Sequence, residues 1–115
     1  MAATPQWTIR DMKLYCNLKD TRCQWSFSID NGSAPPQPCS YSAEGSPACQ
    51  ASTGPNSCGV FTVSSGWSDS FGSDSGFTTI SVVDEEQRLI IYPSYSDREL
   101  EDGDVPDKQY TPQKI

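Results

Sequence analysis

The chain of 115 residues carries a formal net charge of −7, with five cysteines and no histidine. An acidic surface repels phosphates, which speaks against a nucleic-acid partner, and the lack of histidine removes the usual general base near neutral pH and the commonest metal ligand. No apolar run approaches the ~20 residues of a membrane span. We therefore expect one domain, residues 1–115, that is not an enzyme, uses no cofactor or metal and has no membrane span.

Two features of the composition favour a secreted protein braced by disulfides. Leu, Ile, Val and Phe together make up less than a fifth of the chain, which is a thin stock for a hydrophobic core. Cysteines clustered in a short chain are typical of an oxidising, extracellular compartment. They lie at positions 16, 23, 39, 49 and 58. Residues 1–6 lack the apolar segment of a signal peptide, so we expect an N-terminal extension of a mature secreted form.

Alternation of apolar and polar residues predicts a β-hairpin in the first thirty residues. Residues 23–30 place apolar side chains at every second position, as in a half-buried strand. Residues 7–16 also alternate, but the phase changes near Arg10 and Asp11, which indicates a β-bulge. The hairpin loop is then 17–22, and a turn follows at Asp30-Asn31-Gly32.

The next stretch predicts few regular elements. Residues 32–57 are rich in Ser, Pro, Gly and Ala, which favours long surface loops around one short strand at 39–43. Strand character resumes at 58–63. Residues 64–76 are small and polar, which is typical of a flexible loop.

The last part of the sequence predicts a second hairpin and one capped turn. Residues 77–83 and 88–92 are apolar β runs on either side of a charged turn. Ser96 to Glu99 matches a capping box that Gly103 closes, so at most one helical turn is expected at the start of an acidic loop and tail, 97–115. A final edge strand is expected at 109–111. Six or seven short antiparallel strands with long loops predict an all-β sandwich or barrel.

The order of these residues resembles small secreted proteins of filamentous fungi. The resemblance is carried by Trp7, Cys16, CQWSF at 23–27, CSY at 39–41, CGVFTVSSGW at 58–67, GFTTISVVD at 76–84 and YPSYSD at 92–97. The chain is similar in particular to the hypersensitive-response-inducing protein elicitors of plant-pathogenic fungi, such as the rice-blast type. That resemblance implies a β-rich protein secreted into the plant apoplast, which meets an unidentified plant surface or apoplastic component and induces local cell death and defence. It implies no catalytic residue.

The resemblance fits four cysteines, Cys16, Cys23, Cys39 and Cys58, and leaves Cys49 as an addition. Cys16 and Cys23 flank the predicted hairpin loop, whereas Cys39 and Cys58 bracket the long loop. We therefore favour the pairs Cys16–Cys23 and Cys39–Cys58 with Cys49 as a free thiol. A bond from Cys49 to Cys39 or to Cys58 remains an alternative, since sequence alone does not choose.

Two other functions are compatible with the sequence. Rings in loops or near strand ends would let a cell-wall glycan-binding module stack on sugars, although packing in the core is the favoured interpretation of such rings. They are Trp67, Phe71, Tyr92, Tyr95 and Tyr110. A small hydrolase inhibitor would present the loop between Cys49 and Cys58. For the elicitor, the expected interaction surface is loops 32–57 and 64–76 and the acidic tail, on a chain expected to be a monomer.

Two further motifs bear on modification and on ion binding. Asn31-Gly-Ser33 is a glycosylation sequon in a predicted turn. The carboxylates between Asp97 and Asp107 lack the ligand order of an EF-hand calcium loop. A solvated, self-repelling loop is the favoured interpretation of that acidic run.

Overall fold

A computed structural model of the chain describes residues 6–45, 47–69, 76–103 and 105–115, with residue 49 described through its backbone alone. Within these residues the strands are β1 (Trp7–Cys16), β2 (Arg22–Asp30), β3 (Gln37–Glu44), β4 (Thr53–Cys58), β5 (Phe61–Ser68), β6 (Phe77–Asp84), β7 (Leu89–Ile91), β8 (Ser94–Ser96), β9 (Lys108–Tyr110) and β10 (Gln113–Lys114). A 3₁₀ turn (Ala48–Gln50) precedes β4, and the helix α1 (Asp97–Asp102) follows β8. The fold is therefore mostly β, as the sequence predicts.

The strands form two antiparallel sheets. The first sheet has the order β3-β2-β1-β9, and the second has the order β10-β7-β6-β5-β4, with β8 also paired to β6. The edges of one sheet lead to the edges of the other: β9 runs into β10 on one side, and a disulfide between Cys39 and Cys58 joins β3 to β4 on the other. Between the two predicted architectures, the arrangement in two sheets favours a sandwich.

The first hairpin forms where the alternation predicts it. Cys23, Trp25, Phe27 and Ile29 are all buried, because successive side chains of a strand point to opposite faces of the sheet. The register of β1 against β2 shifts between Arg10 and Lys13. The bulge predicted from the change of phase is thus confirmed, and it explains why both halves of β1 face the core.

One buried cluster joins the two sheets. The ring of Trp7 in the first sheet meets the ring of Phe61 in the second, with centroids 5.3 Å apart in an edge-to-face arrangement. Ile80 and Val82 of β6 are fully buried in the same cluster. Aromatic rings bury large areas, so they make up for the shortage of aliphatic residues.

Proline interrupts the second hairpin without ending its pairing. β7 stops before Pro93, which has no N–H to donate, and β8 then pairs with the beginning of β6. The carbonyl of Pro93 still accepts a hydrogen bond from the amide of Ile80 at 2.7 Å. The chain therefore stays against β6 and delivers Ser96 to the start of α1.

Several predicted loops contain regular structure. Residues 53–58 form β4, and β5 extends to Ser68, so the expectation of loops over 44–57 and from 64 onward is wrong in those parts. A polar strand such as β4 has no alternation of apolar and polar residues that would predict it. It forms because it pairs with β5, and Thr53 Oγ1 lies 3.0 Å from Ser65 Oγ across the two strands. In residues 97–115 the expected capped helix is α1 and the expected edge strand is β9, whereas β10 was not predicted. No described helix is long and apolar enough to cross a membrane.

Candidate functional site

One end of the sandwich contains a cleft of about 340 Å³. It lies between the tip of the β1–β2 hairpin, the 3₁₀ turn and α1. Its lining consists of Leu14, Cys16, Asp20, Gln50, Asp97, Leu100 and Glu101. The cleft thus combines an apolar floor with three carboxylates, and it draws on two of the segments expected to form an interaction surface, 32–57 and the acidic region from residue 97.

The hairpin tip is shaped by a single asparagine side chain. Asn17 Oδ1 accepts hydrogen bonds from the amides of Thr21 at 2.9 Å and Arg22 at 3.2 Å. Its Nδ2 donates to Thr21 Oγ1 at 2.9 Å. Asparagine commonly closes turns in this way. The loop is consequently fixed, and Asp20 is held at the mouth of the cleft.

The tip in turn fixes the segment that carries Gln50. The amide of Ala48 donates to the carbonyl of Asp20 at 2.7 Å, and the amide of Gly45 donates to the carbonyl of Thr21 at 3.2 Å. Ala48 is fully buried beneath this contact. A stretch without a regular sequence pattern is therefore anchored to the hairpin.

The third wall of the cleft is α1, which is capped as the sequence predicts. Ser96 Oγ accepts from the amide of Glu99 at 3.1 Å, and Glu99 Oε1 accepts from the amide of Ser96 at 3.1 Å. Gly103 ends the helix with a positive φ of 74°, a conformation that glycine adopts at little cost. Leu100 on the inner side is buried and forms part of the cleft floor.

An ion pair docks α1 onto the first sheet. Lys108 Nζ lies 2.9 Å from Glu99 Oε2, donates to the carbonyl of Ser94 at 3.0 Å and sits 4.5 Å from the centroid of the Tyr95 ring. Burial by itself would raise the pKa of Glu99, but the hydrogen bonds from Lys108 and Ser96 outweigh it and lower that pKa below its ordinary value. Glu99 therefore acts as a structural anchor of the helix.

Asp97 is oriented by a tryptophan. Trp67 Nε1 lies 3.1 Å from Asp97 Oδ1 and 3.0 Å from Oδ2. The amide of Asp97 donates to the carbonyl of Gly76 at 3.0 Å. A Cβ at Gly76 would lie 2.7 Å from the Trp67 ring and would clash with it. Trp67 is thus a positioning residue for one carboxylate of the cleft.

The cysteines are paired as favoured from the sequence: Cys16 is bonded to Cys23 and Cys39 to Cys58. Cys16 and Cys23 are opposite partners in β1 and β2. The side chain of Cys49 lies outside the described residues, so its state stays a prediction. Asp20 lies close to the sulfurs of Cys16 and Cys23, but sulfurs joined to each other are not thiolates, and thiolates are what bind metals.

The predicted aromatic surface does not form one patch. Tyr95 is fully buried in the core cluster, so its inclusion in an interaction surface is wrong, and the favoured interpretation of packing in the core is confirmed for this ring. Trp67 and Tyr110 are partly buried, and Tyr92 is 54% exposed. Phe71 lies outside the described residues. Of the described members, only Tyr92 presents a largely open ring.

The acidic run does not converge on one point. Asp97 contacts Trp67, Glu99 pairs with Lys108, and Asp107 Oδ2 pairs with Arg10 at 3.1 Å. The description of the run as a merely solvated loop is therefore wrong for these three carboxylates. Asp104 lies outside the described residues.

The sequon is compatible with modification but already takes part in a turn. Asn31 Oδ1 accepts hydrogen bonds from the amide of Ser33 at 3.1 Å and from its hydroxyl at 3.2 Å. Both residues lie between β2 and β3, and neither lines the cleft. Glycosylation at Asn31 stays a prediction.

The sequence did not single out Leu14, Asp20, Gln50 or Leu100 as members of a site, although two of them, Gln50 and Leu100, lie in segments expected to form the interaction surface. No local motif marks them, because they meet only when the hairpin tip, the 3₁₀ turn and α1 come together. The usable signals were indirect: the capping box predicts where α1 begins, and the Cys16–Cys23 pair predicts where the hairpin closes.

The fold and the cleft define a class: a small two-sheet β protein with disulfides and a recessed surface at one end. The family model of Effector TSP1 matches residues 8–115. A relative from Hypocrea virens (strain Gv29-8 / FGSC 10586), itself named Effector TSP1, is 41% identical over 118 residues that cover 100% of this chain and 80% of the relative. The chain therefore belongs to the Effector TSP1 family, which supports the expected fungal effector and not the narrower rice-blast elicitor type. Family and disulfides are both consistent with a secreted protein.

Proposed function

We propose that this chain is a secreted fungal effector that plants perceive in the apoplast and that induces hypersensitive-type cell death and defence. The observation that carries the proposal is the family match over residues 8–115. The protein acts by binding and not by catalysis. Its partner is a plant surface or apoplastic component.

Two features of the structure and one of the sequence support a binding role without catalysis. Cross-links at Cys16–Cys23 and Cys39–Cys58 brace the hairpin and join the two sheets, which suits a protein that works outside the cell. The cleft offers a recessed surface of a size within the range of ligand sites. The chain has no histidine, so triads that use histidine as general base are unavailable.

The two alternatives have less support. A glycan-binding module would use exposed rings, but Tyr95 is buried and Trp67 is engaged with Asp97. A hydrolase inhibitor would present a protruding loop before Cys58, but residues 53–58 are a strand paired with β5.

Leaf infiltration with purified protein tests the proposal. Native protein at micromolar concentration is expected to cause ion leakage and an oxidative burst, whereas the same protein reduced and alkylated is expected to lose the activity because its scaffold opens. Protein recovered from fungal culture filtrate should show four of its five cysteines oxidised by mass spectrometry. No response to native protein in several host species would refute the elicitor role.

A further inference from the structure

The cleft at the end of the sandwich combines apolar and acidic side chains. Leu14 and Leu100 form an apolar floor, and Asp20, Asp97 and Glu101 bring three carboxylates to it. Lys19 and Arg98 are neighbours of these carboxylates in sequence, yet neither lines the cleft. The surface of the cleft is therefore both apolar and acidic.

A second observation lies beside it on the hairpin tip. Leu18 is completely exposed, although it stands between two cleft residues, Cys16 and Asp20. Asn17 fixes the backbone of this turn through the amides of Thr21 and Arg22. A fixed turn with an exposed leucine, two residues from each of two lining residues, therefore offers an apolar contact site beside the cleft.

We infer that this cleft takes a lysine or arginine side chain from an extended segment of a partner protein, with an apolar residue next to that side chain packed on Leu18 and Leu14. The inference deepens the proposed function and rests on it for its biological setting. Charge complementarity selects the cation, since a partly recessed carboxylate group favours a positive charge. The long apolar stem of either side chain suits the Leu14 and Leu100 floor.

The rest of the molecule favours the same kind of occupant. Residues 31–115 carry 4 basic and 12 acidic side chains, and the whole chain has a net charge of −7, so its field attracts cationic partners and repels anionic glycans. A neutral glycan would require an aromatic platform, and none of the described residues that line the cleft is aromatic. A volume of about 340 Å³ is also at the small end for ligand sites, which fits one or two side chains.

Binding to a blocked pentapeptide, with leucine on each side of a central arginine, tests the inference by calorimetry and by NMR shift mapping. The matched probe replaces arginine by uncharged citrulline. Glu101→Gln removes one carboxylate from the cleft, and Gln50→Glu adds one; both positions are exposed. Glu85→Gln, in the turn between β6 and β7, makes the same change in net charge away from the cleft.

The arginine peptide is expected to shift resonances of Leu14, Asp20 and Leu100 and to bind more tightly than the citrulline peptide. Glu101→Gln should weaken binding about two- to fivefold and Gln50→Glu should strengthen it by a similar factor, as is typical of exposed charges. Glu85→Gln should leave binding unchanged. The differences should shrink from ~0.01 M to ~0.15 M salt as screening sets in.

Equal binding of both peptides, or equal effects of Glu101→Gln and Glu85→Gln, would overturn the inference. So would shifts at the cleft caused by oligogalacturonate or chitohexaose with none caused by the arginine peptide. The peptide experiment uses no plant tissue, so a protein that binds the peptide but is inactive in leaves refutes the proposed function and leaves the inference standing. A protein that is active in leaves but does not bind the peptide refutes the inference and leaves the proposed function standing.

Discussion

At the scale of single residues, the tyrosines show how far burial separates chemically equal side chains. Tyr92 is 54% exposed, whereas Tyr95 is fully buried and its hydroxyl has no hydrogen-bond partner among the described residues. Burial raises the pKa of Tyr95 far above its ordinary value. Burial also raises the pKa of Tyr41 to about 12, and interaction with the Ser65 hydroxyl offsets this only in part. Both side chains thus resist ionisation while the fold persists.

Alkaline titration should reveal this resistance. Because the folded pKa of Tyr41 lies above the unfolded value, its contribution to stability is complete below about pH 10 and disappears as pH rises toward 12. At about pH 11 we expect the tyrosinate absorbance of folded wild type to exceed that of Tyr41→Phe by only about a tenth of one tyrosinate, and by nearly one tyrosinate after urea is added. An excess of nearly one tyrosinate in the folded wild type would contradict the raised pKa of Tyr41.

At the scale of elements, the ends of α1 are set by residues in or next to the helix, whereas its position on the sheet is set by a residue from another strand. Its limits follow from the capping box at Ser96 and the glycine at position 103, which are readable in sequence. Its placement depends on Lys108, which reaches Glu99 from β9. A six-residue helix is too short to be stable alone, so docking by Lys108 and burial of Leu100 keep it in place.

Loss of the cap should loosen this helix. Ser96→Ala removes the acceptor of the Glu99 amide and is expected to lower the free energy of unfolding by about 1 kcal/mol. Ser94→Ala is the matched control, because Ser94 is exposed and takes part through its carbonyl. Urea unfolding measures both variants, and hydrogen exchange in 97–102 should rise for Ser96→Ala alone. Equal losses for the two serines would argue against the cap.

Other elements show where local sequence patterns predict the structure and where they fail. The bulge at Arg10–Lys13 and the turn at 85–88 are predictable, because the periodicity and the charge of one stretch of chain indicate them. In contrast, β4 and β10 have no alternation of their own. β10 holds only two residues and forms because Gln113 meets Ile90 of β7. Such strands are specified by their partners, so the six or seven strands predicted from the sequence include the edge strand β9 but not β4, β8 or β10.

At the scale of the whole molecule, the two disulfides join different parts of the fold and close loops of different length. Cys16–Cys23 spans 7 residues and closes a hairpin that Asn17 already shapes. Cys39–Cys58 spans 19 residues and joins the edges of the two sheets. The stabilisation by a cross-link grows with the loop that it closes, since it restricts the unfolded chain more.

Removal of each bridge should therefore have a graded effect. Replacing Cys39 and Cys58 by alanine is expected to cost about 3 kcal/mol, and replacing Cys16 and Cys23 about 2 kcal/mol, from loop length. Denaturant unfolding gives both values, and Cys49 is present in both variants. A larger cost for the Cys16–Cys23 pair would show that strand pairing at the hairpin, and not chain entropy, governs these bridges.

The amino-acid sequence by itself determined the β class, the first hairpin with its bulge and the cap of α1, because each depends on spacing within a few residues or on two strands that adjoin. It favoured the cysteine pairs but left bonds from Cys49 open. Only the tertiary structure decided that Tyr95 is buried, that residues 53–58 form a strand and that Leu14, Asp20, Gln50 and Glu101 line one cleft. Those outcomes depend on contacts between segments far apart in the chain. The energy of such contacts comes from burial and pairing at a distance, which no local pattern records.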